Sequence, residues 1–118
     1  MDTNEAIRTV LAVREYSDKA VSRQTIQHVV DAAHLTASSQ NKQPWHFIVV
    51  QARETLRQIA ALSPSGPYIA DAAFAVVVVI KPTPPAISDA SRAIQSMALA
   101  AWNDGVGSNW VGAPKPGS

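Results

Sequence analysis

The 118-residue sequence has no cysteine. This excludes disulfides, thiolate metal sites and cysteine nucleophiles together. Charge is also scarce: 16% of residues are charged, with ten Lys plus Arg against nine Asp plus Glu, and no two basic residues are adjacent. A net charge of +1 gives no electrostatic basis for holding a nucleic-acid backbone or an anionic membrane surface. The longest apolar run, Ala72 to Ile80, has nine residues, well under the ~20 that span a bilayer as a helix. The amino-terminal MDTNEAIRTV carries acids where a leader would carry bases, and the expectation is a cytoplasmic protein with neither nucleic acid nor membrane as partner. No serine stands in a G-x-S-x-G turn, which leaves nucleophilic hydrolysis unsupported.

The sequence is instead rich in small and apolar residues, 47% hydrophobic in all, enough for one domain with an Ala- and Val-rich interior. So few charges also suggest that another chain or a ligand covers part of the surface. Asp2 and Glu5 have the spacing of a capping box and open a first helix over about 3–12. Ser17-Asp18 signals a turn, and Ser22 caps a second helix with Ile26, Val29, Val30 and Ala33 on one face. Trp45 to Val50, aromatic and β-branched, reads as a strand, and 53–62 as a third helix with Leu56 and Ile59 inward. Phe74 to Ile80 has the unbroken apolar character of a strand buried on both faces. Pro82, Pro84 and Pro85 read as a loop, Ser88 or Asp89 as the cap of a fourth helix to about Asn103, and Gly105 as its left-handed C′ residue. Val106 to Val111 reads as a last short strand. An order α, α, β, α, β, α, β without repeats predicts a layered α/β or α+β domain.

Few segments suggest chemistry. Gly105-Val-Gly107-Ser-Asn-Trp110 begins like a dinucleotide fingerprint, but it follows a helix and opens a strand, the reverse of the order that phosphate binding requires. His28 and His34 lie six apart on one helix, on opposed sides, and do not make a metal pair. The stretch TASSQNKQP, 36–44, is different: it has hydroxyls and amides, little charge and no periodicity, and is closed by proline against an aromatic strand. Such a loop serves as a turn device or, through its mixed donors and acceptors, as a wrap for a flat heteroaromatic ligand.

The run ASSQNKQPWHFIVV, 37–50, resembles the PSS-x-N-x-QPW-x-F-x-V-V signature of the FMN-dependent nitroreductase family. Val13-Arg14-Glu15-Tyr16 resembles the family's R-x-F/Y opening, Tyr68 to Ile80 its Y-x-x-A-P-x-x-V-V-V strand, and Asp89 to Gly112 its D-x-A-x-A helix with G-x-G-S-x-W-x-G. The resemblance covers nearly the whole chain in order. It implies an α+β fold, a mixed sheet flanked by helices in three layers, built as an intertwined homodimer with FMN at the interface. It also implies roles for seven residues. Arg14 approaches the FMN phosphate. Ser38, Ser39 and Asn41 reach the flavin from the partner subunit, and Gln43 reaches it or shapes the loop. Val111 and Gly112 lie by the isoalloxazine near N5. Trp45 and Trp110 are expected to pack beneath the site.

Two departures from the family pattern stand out. Val10 and Ala12 occupy the places of the family's Arg-x-Ser, leaving Arg14 to hold more of the phosphate, with Arg8 on the same helix as a possible aid. The sequence also ends soon after Gly112, so 1–118 reads as a single nitroreductase-like domain lacking the family's carboxy-terminal segment. The activity implied is hydride transfer from NAD(P)H through FMN to a flat acceptor such as a nitroaromatic or quinone. The alternatives are a flavin-binding or storage module without turnover, and a remnant that dimerises and binds nothing.

Overall fold

The computed structural model describes residues 1–112, and the local sequence accounts for most of its elements. Helix α1, Thr3–Thr9, is capped by the Asp2 carboxylate, which accepts from the Glu5 N–H at 2.8 Å. It stops three residues earlier than the sequence predicts, because Val10 turns extended (ψ 133°) and Ala12 forms a parallel bridge with Ser108. Helix α2, Arg23–His34, starts where Ser22 Oγ accepts from the Thr25 N–H at 3.1 Å, and it buries Val29 and Ala33. Strand β1, Trp45–Val50, is followed by helix α3, Arg53–Ala61, whose Leu56 is wholly buried. A 3-10 turn, Pro67–Asp71, leads to strand β2, Ala75–Ile80. Helix α4, Pro84–Asn103, is the longest element.

The strands β1 and β2 pair antiparallel, with Trp45 opposite Ile80 and Val50 opposite Ala75. Opposed residues share a face. Trp45, Phe47, Val76, Val78 and Ile80 therefore point together at a core made by Val29 and Ala33 of α2 with Ala93, Met97 and Ala101 of α4. Alanines at the α2–α4 contact let the two helix backbones approach closely. The other face is half open: Ile48 is 51% exposed and Val79 46%. The expectation that β2 is buried on both faces is thus corrected, since within these residues only one face has helices packed on it.

The start of α4 also differs. Thr83 is its cap, Oγ1 accepting from the Ala86 N–H at 3.3 Å, and Pro84 and Pro85 occupy the first turn. A proline there loses nothing, because first-turn N–H groups have no helical acceptor. Asp89 then lies inside the helix instead of capping it. The far end closes as expected: Gly105, at φ 78°, is the left-handed residue, with its N–H on the Trp102 carbonyl (3.0 Å) and the Val106 N–H on that of Ala101 (2.8 Å). His28 Nδ1, 2.9 Å from Asp104 Oδ2, ties α2 to this end. Hydrogen bonds from His28 and Thr25 hold the Asp104 carboxyl below its ordinary value.

Val106 to Val111 is not a strand. It runs extended beside residues 12–13, where the Val13 N–H donates to the Ser108 carbonyl at 2.9 Å and a single bridge forms. A strand needs consecutive pairings, and here there is one. The architecture is α+β, with four helices on a small sheet among the described residues. No helix among the described residues is long and apolar enough to cross a membrane.

Candidate functional site

The amide-rich loop leaves α2 at Thr36, whose hydroxyl donates to the Ala32 carbonyl (2.8 Å) and lies 2.9 Å from Ser96 Oγ on α4. It then forms a 3-10 turn, Ser39–Asn41; Gln40 and Asn41 within it and Gln43 just beyond it have positive φ (53°, 54° and 48°). Left-handed backbone costs a non-glycine residue about 1–2 kcal/mol, so something must hold it. Ser39 is the anchor. Its N–H donates to both carboxylate oxygens of Asp89, at 3.1 and 3.0 Å, and its hydroxyl donates to Oδ1 at 3.1 Å. Asp89 is 1% exposed and also pairs with Arg92. Burial pushes its carboxyl up, but the Ser39 N–H, Arg92 and the Ser39 hydroxyl together hold it below the ordinary carboxylate range. The loop closes on itself as well. Ser38 Oγ accepts from the Gln43 N–H and Asn41 Oδ1 from Gln43 Nε2, both at 2.9 Å.

This bonding leaves a defined remainder. With its oxygen already accepting, Ser38 keeps its O–H to donate; Asn41 keeps both amide hydrogens; Gln43 keeps its carbonyl and one N–H. Ser39, Asn41 and Gln43 are exposed and Ser38 is half-buried. The loop therefore presents donors and an acceptor together, with no net charge of its own apart from Lys42. Such a set matches the edge of a flat ring carrying both carbonyls and an N–H.

Arg14, Val111 and Gly112 belong to a second group. Arg14 is exposed and follows the Val13 that pairs with Ser108. Beside it Tyr16 donates to the Val13 carbonyl at 2.9 Å and stacks edge-on with Tyr68, ring centroids 6.1 Å apart. Burial, and then Tyr68, push the Tyr16 phenol up. Val111 packs on the turn before Tyr68: a Cβ added to Gly66 would lie 2.7 Å from Val111 Cγ1. Gly112 is open to solvent. Two residues before Val111, Asn109 has a buried Nδ2 with no hydrogen-bond partner among the described residues.

The loop is tied to α4 at Asp89, whereas the segment beside Arg14 leaves that helix after Asp104. These two points are about 22 Å apart at 1.5 Å per residue. No hydrogen bond links the two groups among the described residues. Of the tryptophans, Trp45 is in the core at 6% exposure, whereas Trp110 is 62% exposed. Trp110 therefore does not pack within the chain itself: among the described residues Val106–Val111 has no second strand beside it to bury alternate side chains. Asp89 and Asn109 were not among the sequence-derived candidates. For Asp89 the signal was its place on the alanine face of α4, three residues after Ala86 and four before Ala93, where a carboxylate must find a partner.

The profile of the Nitroreductase family matches residues 8–86. The chain belongs to the nitroreductase family. A curated relative in Methanothermobacter thermautotrophicus, provisionally named an NADH dehydrogenase/NAD(P)H nitroreductase, is 38% identical over 117 residues, covering 95% of this chain and 61% of its own. A Bacteroides thetaiotaomicron crystal structure under the same provisional name superposes with a TM-score of 0.86 at 29% identity, over 91% of this chain and 65% of that one. The FMN-dependent nitroreductase of Clostridium difficile superposes at 0.85 with 28% identity, over 90% of this chain and 64% of that one. The chain thus spans about three-fifths to two-thirds of the length of these nitroreductases.

Proposed function

We propose that the chain binds FMN between two copies of itself and passes hydride from NAD(P)H to a flat acceptor such as a nitroaromatic or quinone. The observation that carries this reading is the loop: a strained, buried-carboxylate-anchored turn whose remaining donors and acceptor suit a flavin's pyrimidine edge. Membership of a family with FMN-dependent relatives supports it. So does the attachment of the loop and of the segment beside Arg14 at opposite ends of α4, which a site shared by two chains accommodates.

In this reading Ser38, Asn41 and Gln43 of one copy hydrogen-bond the ring edge, while Ser39 holds the loop in shape. Arg14 of the other copy holds the phosphate by a charge-assisted bond, with Val111 and Gly112 beside the ring face. Bound FMN supplies the redox chemistry, so no side chain need act as general acid or base. The residues bind, orient and exclude water. The same reading places the protein in the cytoplasm, where nicotinamide dinucleotides are at hand.

Val10 and Ala12 at the family's Arg-x-Ser places favour one second reading, a flavin-holding module without turnover. Purified protein distinguishes the two. A yellow solution that bleaches with NADH or NADPH in the absence of oxygen is the expected result. Yellow protein that keeps its colour with both establishes the holding module, and colourless protein that takes up no added FMN overturns both readings.

A further inference from the structure

The least expected group in the fold is Asp89, a carboxylate 1% exposed on the alanine-lined face of α4. Its position would accept another alanine, like Ala86, Ala90 and Ala93 around it, and an acid buried there is tolerated only when hydrogen-bonded. Its described partners are Arg92 on its own helix and the N–H and hydroxyl of Ser39 across the gap. Beyond Arg92 of its own helix, Asp89 therefore acts on the loop alone among the described residues. Just beyond Ser39 come Gln40, Asn41 and Gln43, the three left-handed residues other than glycine among those described. Their backbone would relax toward ordinary conformations once the anchor was removed.

We propose that Asp89 is a positioning residue for the ligand-facing loop: it holds Ser39 so that Ser38, Asn41 and Gln43 meet a flavin edge in one fixed arrangement. Arg92, half exposed at the rim of the pair, keeps the carboxylate charged so that it accepts three hydrogen bonds at once. The inference rests on the reading above for the identity of the ligand, while the clamp itself stands on the geometry. A preformed loop pays less ordering entropy on binding than a loose one, so loss of the clamp falls on affinity and residence time.

The test uses the whole chain with Asp89→Asn, which keeps one acceptor, Asp89→Ala, which keeps none, and Leu56→Val in α3 as a control of similar thermal destabilisation. Two quantities are measured: amide hydrogen exchange of residues 39–43 without ligand, and FMN affinity by quenching of flavin fluorescence. Both Asp89 variants are expected to exchange faster at 39–43 and to bind FMN about tenfold or more weakly, the worth of a hydrogen bond to a charged group. Asn should fall between wild type and Ala, and Leu56→Val should leave both readings near wild type. Unchanged exchange in Asp89→Asn overturns the clamp. Faster exchange with unchanged FMN affinity, or an equal affinity loss in Leu56→Val, overturns the positioning role. Wild-type protein that binds no FMN overturns the flavin reading and the positioning role that depends on it, while the exchange data separately decide whether Asp89 fixes the loop.

Discussion

A Cβ at Gly107 would lie 2.7 Å from Val13 Cγ2 and 3.0 Å from Val13 Cβ. Valine has one stiff χ1 and cannot swing aside, so the two segments must part and the bridge between Ala12 and Ser108 must open. Gly107→Ala is expected to cost about 1–3 kcal/mol, the range for overpacking, and to show as a lower midpoint in urea with an unchanged m-value. Because Arg14 follows Val13 directly, the same change should also weaken any ligand that Arg14 holds. Replacing Arg14 itself with Ala removes an exposed side chain with no hydrogen bond to another described residue, so stability should hardly move. FMN affinity should fall by about 1.5–3 kcal/mol if it is the phosphate anchor, and an unchanged dissociation constant would place the anchor elsewhere. The first substitution probes packing against Val13 and the second probes binding at its neighbour Arg14. Of the two, only Arg14 was legible in the sequence, because a charge has a visible chemistry and a close contact to Val13 has none until the chain is folded.

Elements were readable where their signals are local. Asp2, Ser22 and Gly105 each act within four residues of themselves, and each sits at the helix end that the sequence assigned to it. The start of α4 was misread because proline was taken as a stop, when Thr83-Pro84-Pro85 is a cap followed by a first turn that needs no N–H. The segment Val106–Val111 was misread because its β-branched and aromatic residues promise a strand, but pairing is supplied by other parts of a chain, and among the described residues only Ala12 bridges to it. In the loop, residue types suggested hydrogen bonding, but its left-handed backbone could not be anticipated, since it depends on a carboxylate fifty positions away in sequence. Thr83 offers the direct check on the corrected helix start. Thr83→Ala should destabilise the chain by about 1 kcal/mol, or about 4 °C in Tm, whereas Ser88→Ala, at the cap position first assigned, should leave Tm within a degree or so.

Three exposed apolar side chains stand beside the candidate site groups: Leu11 (66% exposed) ahead of Arg14, Leu35 (85%) ahead of Ser38, and Trp110 (62%) next to Val111. Exposed apolar side chains beside polar groups on both parts of the molecule are what a shared interface would cover. A twofold dimer sharing its sites would cover them, and the geometry of sharing has a consequence that a single-chain site lacks. Suppose each site takes Arg14 from one copy and Asn41 from the other. In a mixed dimer of an Arg14→Ala chain with an Asn41→Ala chain, one site then receives both substitutions and the other receives neither. Random mixing makes half the dimers mixed, so about a quarter of all sites should regain wild-type FMN affinity. If instead Arg14 and Asn41 of the same chain served one site, every site in the mixture would carry one substitution, and none would recover. Co-refolding the two variants and titrating FMN against the mixture and against each parent alone decides between these outcomes without reference to turnover. A tight fraction near one quarter, absent from both parents, is the expected result, and its absence in a mixture that has demonstrably exchanged chains would exclude the shared site.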